Sequence, residues 1–377
     1  MVNYCVLYPN TSNVNLVKDM GMIPYKLYKS YGYNSWITCY NQDEYSYLED
    51  EVKGLKIEFL KKIFNNYILD GCLYLLKNSK KIDILQIFHM TSYSVVYSMV
   101  YKFFNRKGKI YLKLDCSEKL IERLDSMNTI ERKFIEAYLK RVDIISAEQE
   151  RLIEPLKERF GEFGSKLIHI TNGVDLDWVN EINNEEKFEK ENSFLHVARL
   201  GSEEKKTENI LKAFKEFSKT NTNWKLVLVG PMEERFKKFY KIFLEENKDL
   251  NDRIIYKGEI RERKALYNIY KKTKAFILNS EFESFGFVLI EAALFKNMII
   301  STDVGVAEEL KIHGNVEIIK YDDIKVIKDA MVKVVNDKDI EEKGIENREL
   351  IEKKYNYDVI IKKLKSSFDK SINSCKQ

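Results

Sequence analysis

Two glutamates, Glu283 and Glu291, stand eight residues apart in EFESFGFVLIEAA (residues 281–293), and two cations, Arg199 and Lys205, stand six apart in HVARLGSEEKKTE (196–208). Carboxylates of this kind suit a ligand rich in hydroxyls, one meeting a sugar and the other a ribose. A planar guanidinium and a mobile ammonium can together stabilise the charge that gathers on a diphosphate as its bond to a sugar breaks, without a metal. Each residue alone also has a plainer reading. The glutamates fit a solvated acidic loop before a packing helix, and the cations fit a solvated basic loop in which Lys206 is one more lysine.

The elements that must position these groups are short. KAFILNS (274–280) reads as a buried strand and FVLIEAALF (287–295) as a helix apolar on most faces, with Ser284 and Gly286 marking the turn between them. Glu283 then falls in the loop beyond the strand, and Glu291 lies about a turn and a half into the helix, roughly 7 Å along its axis. The N–H groups of Phe285, Gly286 and Phe287 would open a helix end that favours anions such as phosphate. FLHVAR (194–199) puts Arg199 at the end of another strand. Loops at the carboxyl ends of parallel strands are where ligands bind in such sheets.

The rest of the chain reads as α/β. Apolar runs DILQIF (83–88), KIYLKL (109–114), VDIIS (142–146) and LIHI (167–170) alternate with charged helical stretches. The pattern restarts with FLHVAR, KLVLVG, RIIYKG, KAFILNS, MIIST and VEIIK. Between the two series, the polar segment 175–193 is the expected linker. The expected domains are 1–180 and 181–377, two Rossmann-like parallel-sheet domains facing a cleft, with the C-terminal helix free to pack back on the first. Pro24 and Pro231 are placed beside strand-to-helix turns.

At 377 residues the chain has room for two cores. Its 63 basic and 59 acidic side chains leave a formal charge of +4, which gives nucleic-acid binding no electrostatic support. The five cysteines (Cys5, Cys39, Cys72, Cys116 and Cys375) form no CxxC pair, arguing against disulfides and zinc and for a reducing cytoplasm. Neither a leader nor a bilayer-spanning stretch is expected.

With these motifs in this order, the chain resembles glycosyltransferase family 4, a retaining group with the two-domain GT-B fold. Glu283 and Glu291 match its E-x7-E motif, and Arg199 and Lys205 match its diphosphate-binding pair. ITNGVDLD (170–177) resembles the N-G-V-D turn near the end of the first domain, and STDVGVAEEL (301–310) resembles the family's late turn. The resemblance implies that Glu283 binds the donor sugar, that the backbone from Ser284 through Phe285, Gly286 and Phe287 supports sugar and phosphates, and that Glu291 holds the ribose. YKGEI (256–260) resembles the loop whose main chain around Glu259 and Ile260 meets the base. NLVKDMGMIPYKLYKSYGY (15–33) resembles the opening loop and helix, with Gly21 where the backbone approaches the donor, although the usual paired glycines are missing.

His89, in DILQIFHMTSY, matches a position near the transferred sugar or acceptor, and it equally fits a histidine satisfying loop backbone. Asp115 ends the next strand, as an acceptor contact or, more simply, as a helix N-cap. Asp175 and Asp177 form a D-x-D pair read as turn and cap residues and not as metal ligands, because Arg199 and Lys205 already supply the charge. The implied substrates are a nucleotide diphosphate sugar, with uridine diphosphate favoured by family frequency, and a glycan, lipid-linked or protein acceptor; no cofactor is required. YKFFNRKGK (101–109) is a candidate for peripheral contact with the inner membrane face and also reads as a solvated helix end. A non-catalytic subunit binding a glycan or a partner, and an epimerase or hydrolase on the same fold, are the rival readings.

Overall fold

The computed structural model describes residues 1–182 and 189–373, so part of the expected linker (183–188) and Cys375 lie outside the described residues. The chain forms two compact units, one of Met1–Trp178 with the segment from Asn356 onward and one of Val179–Tyr355. Each is a parallel sheet with helices packed on it. In the first, strands β1 (Asn3–Leu7), β2 (Asn34–Cys39), β3 (Lys56–Phe59), β4 (Ile84–Phe88), β5 (Lys109–Lys113), β6 (Ile144–Ala147) and β7 (Leu167–His169) take the order β3-β2-β1-β4-β5-β6-β7. In the second, β8 (Glu191–Val197), β9 (Lys225–Val229), β10 (Ile254–Tyr256), β11 (Thr273–Leu278), β12 (Met298–Thr302) and β13 (Val316–Ile319) take the order β10-β9-β8-β11-β12-β13.

The central strands are apolar on both faces because helices cover both. Along β1, Cys5 and Leu7 join one cluster with Leu85, Ile87, Ile110 and Leu112, while Tyr4 and Val6 join the opposite one with Ile84, Phe88 and Tyr111. This is the period of two that a strand imposes. The apolar runs of the sequence coincide with β4 to β13, but β1, β2 and β3 were not read from it. Asn34, Ser35 and Thr38 dilute β2, and edge strand β3 is largely exposed, so neither carries an apolar run.

The last helix, Tyr357–Asn373, belongs to the first unit, where Ile360, Ile361, Leu364 and Phe368 are buried. The Phe368 ring lies 5.7 Å from Tyr4 and 5.4 Å from Tyr111. Burying such a side chain contributes about 1.5–3 kcal/mol. The chain re-enters this unit beside the point where it left: the Tyr357 N–H bonds Val174 O at 3.1 Å.

Three local expectations need correction, and the Asp175 and Asp177 turn gains a further role. Pro24 lies inside the helix Asp19–Tyr31, not beside a turn; without an N–H it forgoes the bond to Met20 O. The helix Glu118–Asp125 is preceded by Ser117 at its N-cap, so Asp115 is no cap. The segment 175–193 is more than linker, containing the helix Leu176–Ile182 and the start of β8. Asp175 and Asp177 surround a cation: Lys26 Nζ lies 2.7 Å from Asp175, 3.1 Å from Asp177 and 3.1 Å from Asp358, with its own side chain fully buried. Burial opposes that charge, yet Asp175 and Asp358 outweigh it and hold the ammonium above its ordinary pKa.

Candidate active site

The order of the second sheet reverses between β8 and β11, and both charged motifs leave the sheet there. Lys205, after β8, forms a short ion pair with Glu283, after β11, and lies 3.3 Å from the Ser280 hydroxyl. Only 14% of the Lys205 side chain and 18% of Glu283 reach solvent, so this charge pair is screened less than a surface pair. The two loops are also joined through backbone, Glu281 N–H to Glu204 O at 2.8 Å. Arg199 is not part of this contact. Its side chain is 60% exposed, and its guanidinium lies 2.8 Å from Glu204 and 3.4 Å from Glu233.

The loop carrying the two cations is held from beneath by residues the sequence reading overlooked. Gly201 has φ +82°, and a Cβ there would come 2.0 Å from Phe236 Cβ, so no larger residue fits. Its N–H bonds the Thr207 hydroxyl at 3.2 Å, and that hydroxyl lies 3.3 Å from Nε2 of His196. His196 is fully buried in β8 and donates from Nδ1 to Ile277 O at 2.9 Å, which leaves Nε2 to accept from Thr207. Burial pushes its pKa down to about 4, against the backbone bond to Ile277 and with the help of the Lys205 charge. The unfolded chain binds the proton near pH 6.5 and the folded chain does not. Stability is therefore expected to fall as pH drops from about 6.5 towards 4, by about 3 kcal/mol over the whole window. Urea unfolding at pH 7, 5.5 and 4.5 should show a steeper loss for the wild type than for His196→Gln; parallel losses would refute this role.

The turn after Glu283 is shaped by two glycines. Gly286, with φ +84°, caps the helix Phe287–Leu294. Gly305, in the late turn, has φ +54°, and a Cβ there would stand 2.3 Å from Phe285 O. Val306 N–H bonds that same oxygen at 2.9 Å. Phe285 is buried against Phe287, Ser284 is exposed, and the Phe285 and Gly286 N–H groups donate to none of the described residues.

Glu291 is a turn further on and belongs to a different set of contacts. The Tyr267 hydroxyl lies 3.5 Å from one of its oxygens and the Tyr270 hydroxyl 3.3 Å from the other. These tyrosines are three residues apart on the helix Arg263–Lys272, hence on one face, a spacing visible in the sequence. Arg263 stacks over the Tyr267 ring at 4.9 Å and donates to its hydroxyl. Burial first, and then the Glu291 charge, raises the Tyr270 hydroxyl well above the ordinary tyrosine range. Glu259 is exposed and Ile260 half-buried on the segment after β10, where Gly258 O accepts the Gly230 N–H at 2.8 Å.

Two candidates lie in the first unit. Gly21 is not in a loop: it is buried in the first turn of its helix, and a Cβ there would stand 2.0 Å from Leu16 O, so its missing side chain serves packing of the chain on itself. His89 follows β4 with φ +56° and is bonded through Nδ1 to Leu114 O at 2.8 Å. Among the described residues, no group of three or more histidine, cysteine or acidic side chains is placed to hold a metal ion, and no helix is long and apolar enough to cross a membrane.

Residues 179–365 match the model of a family described as glycosyl transferases group 1. A curated relative, the capsular polysaccharide biosynthesis glycosyltransferase CapM of Staphylococcus aureus, is 25% identical over 209 residues, 53% of this chain and 53% of its own length, so the match spans about half of that relative. Among solved structures, HepE of Anabaena in complex with UDP and glucose aligns with a TM-score of 0.72 at 13% identity, over 98% of this chain and 100% of its own. A glycosyltransferase from Rickettsia africae aligns at 0.73 and 16% identity, covering 98% of each chain. Sucrose-phosphate synthase of Thermosynechococcus elongatus aligns at 0.73 and 13%, over 99% of this chain and 100% of its own. The chain thus has the GT-B fold of two Rossmann-like parallel-sheet units, and the part of it from 179 to 365 is similar to the glycosyl transferases group 1 family.

Proposed function

We propose that the protein is a retaining glycosyltransferase that moves a sugar from a nucleotide diphosphate sugar, UDP-linked, to a hydroxyl of a glycan, glycolipid or glycoprotein acceptor. The observation that carries this reading is the Lys205–Glu283 pair. It sets a cation suited to a diphosphate against a carboxylate suited to sugar hydroxyls, inside the segment that matches the group 1 model. Structural similarity to HepE, solved with UDP and glucose, supports the choice of donor.

In this reading Glu283 accepts hydrogen bonds from the donor sugar, and the Phe285 and Gly286 N–H groups, with Ser284 and Phe287 beside them, line the sugar and phosphates. Lys205 and Arg199 take up the charge that develops on the leaving diphosphate. For Arg199 this means exchanging Glu204 and Glu233 for phosphate oxygens. Glu291, aligned by Tyr267 and Tyr270, accepts from the ribose, while the main chain at Glu259 and Ile260 meets the base. His89 belongs to the sugar or acceptor side. The leaving phosphate takes the acceptor proton, so positioning and electrostatics supply the rate and neither glutamate acts as a glycosidase acid or nucleophile. Phe103, 75% exposed in the basic segment 101–109, supports peripheral contact with a membrane surface.

The test is nucleotide release from a panel of UDP-, GDP- and ADP-sugars, with Glu283→Ala as control. Release with at least one donor, lost in the variant, is expected. No release from any donor by the wild type would sink this reading and favour a non-catalytic subunit.

A further inference from the structure

The Lys205–Glu283 pair depends on the backbone just after it. Lys206, the last residue before the helix Thr207–Ser218, has φ +42° and ψ +47°, a left-handed conformation that a lysine seldom adopts. Rotation about that φ turns Lys205 relative to the helix, so this angle decides whether the Lys205 ammonium reaches Glu283 and Ser280. Strain of this kind persists only where neighbouring groups impose it. Two local bonds close the turn, Lys206 N–H to Ser202 O at 3.3 Å and Asn209 N–H to Lys206 O at 2.9 Å, but both come from the same stretch of chain.

The group that imposes it from outside belongs to KYDDIK (320–325), after edge strand β13. Two aspartates stand together there. Asp323 caps the helix Ile324–Val335, accepting the Val326 N–H at 3.1 Å. Asp322, with φ +62°, is left over by that local chemistry. One of its oxygens accepts from Nδ2 of Asn209, in the first turn of the helix Thr207–Ser218, and the other lies 4.0 Å from Lys206 Nζ. The Asp322 N–H in turn donates to Oδ1 of Asn279 at 3.3 Å. Asn279 is fully buried after β11, next to Ser280, which bonds Lys205. The Tyr321 hydroxyl donates to Glu203 O, in the same loop as Lys205, at 3.2 Å. Residues 321 and 322 thus grip both ends of the turn, from a strand three places from β8 in the sheet.

We propose that Asp322 is a positioning residue for Lys205: fixed by Asn279 and bonded to Asn209, it holds Lys206 in its left-handed conformation and so keeps the Lys205 ammonium against Glu283. The proposal rests on the glycosyltransferase reading above, in which Lys205 takes up the charge of the leaving diphosphate, and it adds a residue that acts only through Lys206 and Lys205.

With the donor found in the nucleotide-sugar panel, nucleotide release at saturating donor and amide hydrogen exchange over residues 200–209 are measured, with thermal unfolding recorded on the same samples. Wild type, Asp322→Gly and Asp322→Asn are compared, together with Asp322→Gly combined with Lys206→Gly or with Lys205→Ala. Gly keeps left-handed backbone at 322 but offers no acceptor, whereas Asn keeps both. Turnover is expected to fall about 10-fold or more in Asp322→Gly, with faster exchange across 200–209, and to return to within about 3-fold of wild type in Asp322→Asn. Lys206→Gly, which is left-handed without strain, should recover most of the loss caused by Asp322→Gly. In the Lys205→Ala background Asp322→Gly should change turnover less than about 2-fold, because the group it positions is gone, whereas a merely structural role would cost the same in both backgrounds. Wild-type turnover in folded Asp322→Gly, no recovery with Lys206→Gly, or an equal loss without Lys205 would overturn the proposal with the donor reading intact. Absence of nucleotide release by the wild type would overturn the donor reading itself, and the proposal with it.

Discussion

Replacing Lys205 by Ala is expected to lower turnover by about 100- to 1,000-fold, the range seen when one preorganised charge-stabilising donor is lost from a reacting group. The size follows from where the ammonium lies. Lys205 is largely buried, paired with Glu283 and bonded to Ser280, so its charge acts in a medium that screens poorly and needs no reorganisation as the diphosphate leaves. Arg199, exposed and already shared between Glu204 and Glu233, should matter less, and Arg199→Ala is expected to show the smaller loss. The measurement is nucleotide release at saturating donor, with thermal unfolding recorded on the same samples. A folded Lys205→Ala variant with wild-type turnover would remove the residue from the mechanism. The double variant Lys205→Ala/Glu283→Ala should be little slower than the worse single variant, because two groups acting on one leaving event are not additive.

The largest expected effect on stability lies in the first unit, at Lys26. Its ammonium is fully buried among Asp175, Asp177 and Asp358, and Asp175 is itself buried. Lys26→Met leaves Asp175 and Asp358 without this cation, and Asp177 with Lys29 at 3.7 Å, and is expected to cost about 3–5 kcal/mol. Urea unfolding at pH 7 measures it. Lys157→Met, which breaks only the exposed pair with Glu154 at 2.8 Å, should cost under about 1 kcal/mol. Equal losses in the two variants would show that the Lys26 cluster does not hold the first unit together. Because the folded chain raises the Lys26 pKa, this stabilisation is fully present below about pH 10 and fades only as pH rises beyond it. The cluster joins the segments at both chain crossings, Asp175 and Asp177 before Trp178 and Asp358 after Asn356, so its loss should also loosen the final helix.

Much of the fold was legible because buried parallel strands are predominantly apolar on both faces, and β4 to β13 show that as short apolar runs broken by few polar residues. β2 was missed because polar residues interrupt its run and β3 because it is an exposed edge, whereas the short run of β1, NYCVL, is buried and apolar and was legible. Local chemistry carried the turns: Gly286 and Ser284 marked the break between β11 and its helix, as φ +84° at Gly286 requires. Asp115 was misjudged as a cap because cap preference is local, whereas Glu148, which holds its backbone, stands 33 residues further along.

The sequence by itself determined the α/β class and the E-x7-E and Arg/Lys motifs, since residue type and spacing within one strand-loop-helix unit suffice for both. Only the tertiary structure decided partnership: that Lys205 meets Glu283 across 78 residues while Arg199 turns to Glu204, and that Glu291 stands with Tyr267 and Tyr270. The same holds for Lys26, which gathers a D-x-D pair that spacing alone assigned to a turn. Contacts between distant segments depend on sheet order and on which buried charge finds which counter-charge, and neither is written in local spacing.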